Sequence, residues 1–140
     1  MAYTFPSQDW VEAFKDAVNG NPNYRTAART WEGDFYFIVE PDSISSFSEP
    51  IVMYMDLWHG ECRDAYLVMD RSQKTPEFVI SAPYSVWKQV VTGKLDPIKG
   101  MMTRKLKLKG NMMKIMRAVK AANELVRSCT FVPTEFADKK

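Results

Sequence analysis

Few residue types in this 140-residue chain stand in spacings that do chemistry. There is one histidine, His59. A histidine acting as acid or base needs a partner within hydrogen-bond reach. His59 precedes Gly60 at an expected hairpin tip, where a solvated turn residue is the simpler account. The two cysteines, Cys62 and Cys129, lie far apart and in no metal-ligand spacing. With a single histidine, no zinc or other metal site is expected, and both thiols are expected to stay reduced in a cytoplasmic protein. The carboxylates Asp34, Glu40, Asp56, Glu61, Asp64 and Asp70 fall mostly at strand ends or on alternating positions. Asp56 alone interrupts an apolar run, yet a period of two lets it point outward. No glycine-rich phosphate loop, nucleophile elbow or paired-carboxylate spacing occurs, so no cofactor is expected. One enzymatic alternative stays open, a buried Asp34 or Asp56 that moves a proton on an apolar substrate; it requires a carboxyl held strongly protonated inside a pocket.

Methionine is the stronger clue. There are 9, and Met101, Met102, Met112, Met113 and Met116 crowd into 16 positions. Methionine is flexible and polarizable and suits surfaces that receive varied apolar ligands, but it also fills irregular cores. On residue types alone, core filling is the simpler account of a helical apolar stripe. The aromatic residues Phe35, Tyr36, Phe37, Tyr54, Tyr66 and Trp87 present the same choice between core and pocket floor.

Charge is unevenly placed. Residues 1–93 carry 7 Lys/Arg against 13 Asp/Glu, and residues 94–140 carry 12 against 4. Such asymmetry fits an anionic partner such as lipid headgroups or CoA phosphates, or mutual neutralisation of the two halves on folding. Nucleic acid is not expected as a partner: residues 94–130 contain no aromatic side chain for base stacking. No run of 18 apolar residues exists, and the first residues lack the pattern of a signal peptide.

The elements follow from periodicity and punctuation. Ser7 caps a first helix with Trp10, Val11, Phe14, Ala17 and Val18 on its apolar side. A second helix is expected over 22–30, beginning at Pro22. Residues 34–40 read as a central strand, apolar on both faces. Strands follow over 51–59, 62–70 and 77–82, then a helix to about residue 92 that Gly93 ends. Asp96 caps a short helix over 97–102. The strand at 104–109 alternates lysine with leucine, pointing Leu106 and Leu108 inward and marking a sheet edge. One long amphipathic helix is expected over 111–127, with Met112, Ile115, Met116, Val119, Ala122 and Val126 as its apolar face. Phe131, Val132 and Pro133 form a tail apolar enough to pack. At this length one domain with a real core is expected, α+β in class, with a mostly antiparallel five-stranded sheet and helices on one face.

Trp87, Gly93-Lys94-Leu95-Asp96-Pro97, Met101-Met102 and Lys105-Leu106-Lys107-Leu108-Lys109-Gly110 before an apolar helix resemble the sterol carrier protein 2 family of lipid-binding domains. The motif covers about residues 84–120, and the element order covers nearly the whole chain. Two positions depart from the family pattern: Asn111 stands where the family often has Asp, and the Ala137-Asp138-Lys139-Lys140 end is not a peroxisomal Ser-Lys-Leu. The resemblance implies an apolar tunnel between sheet and helices that holds a fatty acid, fatty acyl-CoA, sterol or phospholipid, with no chemistry done on it. It turns the methionine cluster from core filling to ligand lining. The residues then expected at the ligand are Phe35, Phe37, Trp87, Met101, Met102, Leu106, Leu108, Met112, Met113, Met116, Val119 and Phe131, with the entrance near the last helix and the Phe131 tail. Lys105, Lys107, Lys109, Lys114, Arg117 and Lys120 are placed to attract a CoA phosphate, a fatty-acid carboxylate or an anionic membrane surface. Monomer and homodimer both remain open, and so does an interaction or dimerisation module whose groove a partner segment fills.

Overall fold

Local capping chemistry sets the first elements of the computed structural model, which describes residues 2–140. A short strand, β1 (Tyr3–Phe5), comes first. Ser7 accepts a hydrogen bond from the Trp10 N–H and starts α1 (Gln8–Asn19), which buries Trp10, Val11, Phe14 and Val18. Asn21 accepts from the N–H groups of Asn23 and Tyr24 and starts α2 (Pro22–Ala27). That helix stops three residues before its expected end.

The main sheet has five strands: β2 (Glu32–Glu40), β3 (Ile51–Trp58), β4 (Glu61–Leu67), β5 (Phe78–Pro83) and β6 (Lys107–Lys109). Their order is β4-β3-β2-β5-β6. All neighbours are antiparallel except β2 and β5, which run parallel. The β3–β4 hairpin closes on His59 and Gly60, both left-handed at φ 50° and 83°. A side chain at Gly60 would meet the Arg25 carbonyl oxygen at 2.6 Å, so glycine is needed there.

β2 is the central strand, and both its faces are covered. Phe35, Phe37 and Val39 join Met53, Met55, Leu57, Phe78 and Ile80 beneath the helices. On the other face Tyr36, Ile38, Val52, Tyr54 and Val68 form a separate buried cluster. A loop crosses that cluster, tied down where the Tyr36 hydroxyl meets the Arg71 and Lys74 carbonyls at 3.0 and 3.1 Å. The strand expected over 62–70, β4, ends at Leu67, and Met69 beyond it is exposed.

The helical layer is α3 (Tyr84–Val91), α4 (Pro97–Met102), α5 (Met112–Met116) and α6 (Val119–Arg127). Asp96 caps α4 by accepting from the N–H groups of Ile98 and Lys99. Two expectations need correction. The strand expected over 104–109 begins only at Lys107, because Arg104 turns left-handed at φ 62° and the Leu106 N–H donates to the Gly100 carbonyl. The single helix expected over 111–127 is two, broken at Arg117 and Ala118, with Ala118 at φ −119° and ψ 37°. The break resets the helical phase. Ala121 becomes buried, whereas Met116 is exposed and Val119 half-buried.

Beyond a 3-10 turn over Ser128–Phe131, β7 (Thr134–Phe136) pairs in parallel with β1 and makes a second, two-stranded sheet not foreseen from the sequence. Both borders of the main sheet are closed. β6 carries Lys107 and Lys109 outward. At β4 the Asn19 amide donates to the Cys62 carbonyl (3.0 Å) and accepts the Cys62 N–H (2.7 Å), and Gln8 accepts the Leu67 N–H (2.8 Å).

Candidate ligand-binding cavity

Between the front of the sheet and α3–α6 lies an apolar cavity of about 70 Å³. Phe35, Phe37, Leu57 and Ile80 form its floor, with Tyr24 and Trp31 at one end. Trp87 and Val90 of α3, Pro97 and Met101 of α4, and Leu106 close the side. Ile115 and Ala118, then Ala121, Ala122, Leu125 and Val126 of α6, make the roof. No ionised side chain lines it.

The aromatic floor is built by stacking. Phe35 stacks on Phe37 at 5.1 Å between ring centres and on Phe78 at 5.0 Å, and Trp31 stacks on Phe35 at 5.9 Å. Both indole N–H groups are engaged away from the space. Trp87 donates to the Ile38 carbonyl at 2.8 Å, and Trp31 to that of Gly33 at 3.1 Å. Each indole therefore offers the cavity only hydrocarbon. Burial pushes the Tyr24 phenol well above its usual pKa, so it stays neutral at the wall.

A second apolar cavity of about 50 Å³ lies towards α1, walled by Phe5, Trp10, Phe14, Met53, Met55 and Cys129 among others. The two cavities share Phe37, Trp87, Val90, Leu125 and Val126. These five side chains are the partition between them.

Of the residues expected at the ligand, Phe35, Phe37, Trp87, Met101 and Leu106 come together on this cavity. Leu108, Met112 and Val119 are half-buried and pack against the same core without lining it. Met102, Met113, Met116 and Phe131 are exposed. Sequence reasoning missed Tyr24, Trp31 and the roof of Ala118, Ala121, Ala122 and Leu125. The signal available was three alanines at helical spacing, which leave space beneath a roof instead of filling it.

The carboxylates of the enzymatic alternative lie elsewhere. Asp34 and Asp56 border a polar cleft of about 400 Å³ with Glu32, Trp58, Arg63, Glu77 and Lys114. Asp34 accepts from the Tyr54 hydroxyl (2.9 Å) and the Glu77 N–H (2.7 Å). Asp56 accepts two bonds from Arg63, both 3.1 Å. His59 pairs with Glu32 at the surface. Among the described residues no group of three or more His, Cys, Asp or Glu is gathered closely enough to hold a metal ion, and no helix is long and apolar enough to cross a membrane.

A model of the SCP-2 sterol transfer family matches residues 11–123. A crystal structure of sterol carrier protein 2 superposes with a TM-score of 0.80 at 34% sequence identity, covering 90% of this chain and 97% of that one. The solution structure of a conserved hypothetical protein from Thermus thermophilus superposes at 0.82 with 34% identity, covering 92% and 90%. Sterol carrier protein 2 from Yarrowia lipolytica, in its apo form, shares the fold at 0.58 with 17% identity, covering 84% and 87%. No curated protein sequence matches the chain. The family model spans most of the elements described above and all of the cavity lining except Leu125 and Val126: this chain belongs to the SCP-2 sterol transfer family.

Proposed function

We propose that the protein is a non-enzymatic lipid carrier that takes up the hydrocarbon tail of a fatty acid, a fatty acyl-CoA or another lipid between the sheet and α3–α6. The observation that carries this reading is a cavity lined entirely by apolar side chains and roofed by short, interrupted helices. Each methylene moved from water into such a space contributes about 0.8 kcal/mol. At about 70 Å³ the space is smaller than the roughly 150 Å³ apolar cavity that admits one benzene ring. A tail therefore enters by pushing the roof outward and parting the side chains that divide the two cavities. Phe35, Phe37, Trp87, Met101 and Leu106 contact the tail, and Met112 and Val119 meet it as the roof moves.

Native mass spectrometry of the purified protein, followed by organic extraction, tests the reading. A co-purifying acyl lipid is the expected result. Ala121 lies buried in the roof, and Ala121→Leu fills the space beneath it. That variant is expected to fold with unchanged or raised stability and to lose binding of a fluorescent fatty acid by tenfold or more, on the order of two methylenes' worth of burial. A wild-type protein that binds no fatty acid, acyl-CoA or sterol, or a filled variant that binds as well as wild type, would sink the proposal.

A further inference from the structure

Of the seven large apolar side chains exposed among the described residues, Met102, Met113 and Met116 share one stretch with a run of unpaired positive charge, and Ile44, Trp58, Met69 and Phe131 lie outside it. Met102, Met113 and Met116 are 65%, 62% and 37% exposed, a heavy cost for residues that prefer burial. Every lysine and arginine from 94 to 120 except Lys114 is exposed and pairs with no carboxylate among the described residues. The one acid in that span, Asp96, is engaged in capping α4. Apart from the Lys114–Glu77 pair, no ion pair among the described residues engages the cations of this region, and much of the lopsided charge of the sequence survives folding.

The placement ties the region to the cavity. Met102 follows Met101; Lys105 and Lys107 flank Leu106; Met116 follows Ile115; Arg117 precedes Ala118; and Lys120 precedes Ala121. In each case one residue lines the cavity and its chain neighbour faces solvent. The outer side of the cavity wall is therefore cationic with methionine set into it.

We propose that this wall, from α4 through β6 to the start of α6, docks on an anionic lipid surface. The lysines and arginines meet headgroup phosphates and carboxylates, and Met102, Met113 and Met116 enter the boundary between headgroups and acyl chains. Charge draws the protein in over about 8 Å at physiological salt, and the methionines add a short-range apolar grip. A lipid leaving the surface then has only this wall to pass. The docking face presupposes the apolar ligand proposed above, and the assays below separate the two.

Co-sedimentation with phosphatidylcholine vesicles, with and without phosphatidylserine, tests the docking. Wild type is expected to bind the anionic vesicles, to release with salt, and to ignore the neutral ones. Lys105→Gln, Lys107→Gln and Arg117→Gln together are expected to weaken binding roughly a hundredfold, at about a tenfold loss for every one to two charges removed. Met102→Ser, Met113→Ser and Met116→Ser together are expected to weaken it as well. Both triple variants should bind a fluorescent fatty acid in solution as wild type does, which reports an intact fold and cavity. Equal binding to neutral vesicles, or a charge variant that still binds anionic vesicles like wild type, overturns the proposal. So does a methionine variant with undiminished vesicle binding whose wild type is retained equally by a polyanion such as heparin; the face is then a general polyanion site. Loss of fatty-acid binding by wild type overturns the carrier reading and leaves the vesicle result to stand or fall by itself.

Discussion

Trp87 touches both cavities while its N–H holds the Ile38 carbonyl, so one side chain is at once a strut and a partition. Trp87→Phe removes the donor and narrows the partition. It is expected to lower stability by about 1–3 kcal/mol in urea denaturation. Because the cavities then communicate more freely, the lipids extracted from the variant should shift towards longer chains than those from wild type. Cys62 and Cys129 are held differently. Burial pushes both thiols up to about 12, against an ordinary value of 9.0. At pH 8 only about one in ten thousand is the reactive thiolate. Iodoacetamide at that pH should label neither residue in the folded protein and both after unfolding in guanidinium, as mass spectrometry would read.

At the scale of elements, two short segments hold the ends of the helical layer. β7 and the residues after it are strapped down by Asp138, which accepts from Lys88 Nζ (2.7 Å) and from the Tyr84 hydroxyl (2.6 Å). The Lys88 bond, then the Tyr84 bond, hold its carboxyl below the ordinary 3.8. The charged form is thus favoured by folding. The strap's contribution is complete above that ordinary value and is lost as pH falls through the lowered one. The protection of the amides of residues 134–139, taken relative to the intrinsic exchange rate at each pH, should fall in acid, and Asp138→Asn should lower it at neutral pH as well. Gly110 stands at φ 142°, where a side chain would come within 2.6 Å of the Phe78 ring and 3.1 Å of the Glu77 carbonyl oxygen. Gly110→Ala is expected to cost about 1–3 kcal/mol and to loosen the entry to α5. Caps and turns such as these were legible: Ser7, Asp96 and the His59-Gly60 hairpin carry local chemistry that no distant contact overrides. The lysine–leucine alternation likewise marked the border strand. The break between α5 and α6 was not legible. Arg117-Ala118 carries no proline, glycine or capping side chain that would mark a restart of the helix there. The same holds for β1 and β7, whose partners lie more than a hundred residues apart. The cavity walls were half legible for a related reason. Periodicity tells which residues face inward, but not which of them border a space that nothing fills.

For the molecule as a whole, binding and stability are linked. A ligand that binds only the folded state at a hundred times its dissociation constant adds about 2.7 kcal/mol. For a chain of this length that is a rise of about 10 °C in melting temperature. Adding a long-chain fatty acid to delipidated wild type should produce a shift of that order, and Ala121→Leu should show little; differential scanning fluorimetry reads both. The closed borders of the sheet have a consequence of another kind. An open β edge invites a second molecule to add its own strand, and repetition of that step yields fibres. Here the Asn19 amide occupies the Cys62 position as a neighbouring peptide would, Gln8 takes the Leu67 N–H, and paired lysines repel an approach on the far side. A protein with an apolar hollow under its helices can therefore be concentrated without polymerising through its sheet, and Asn19→Ala is where that protection would first give way.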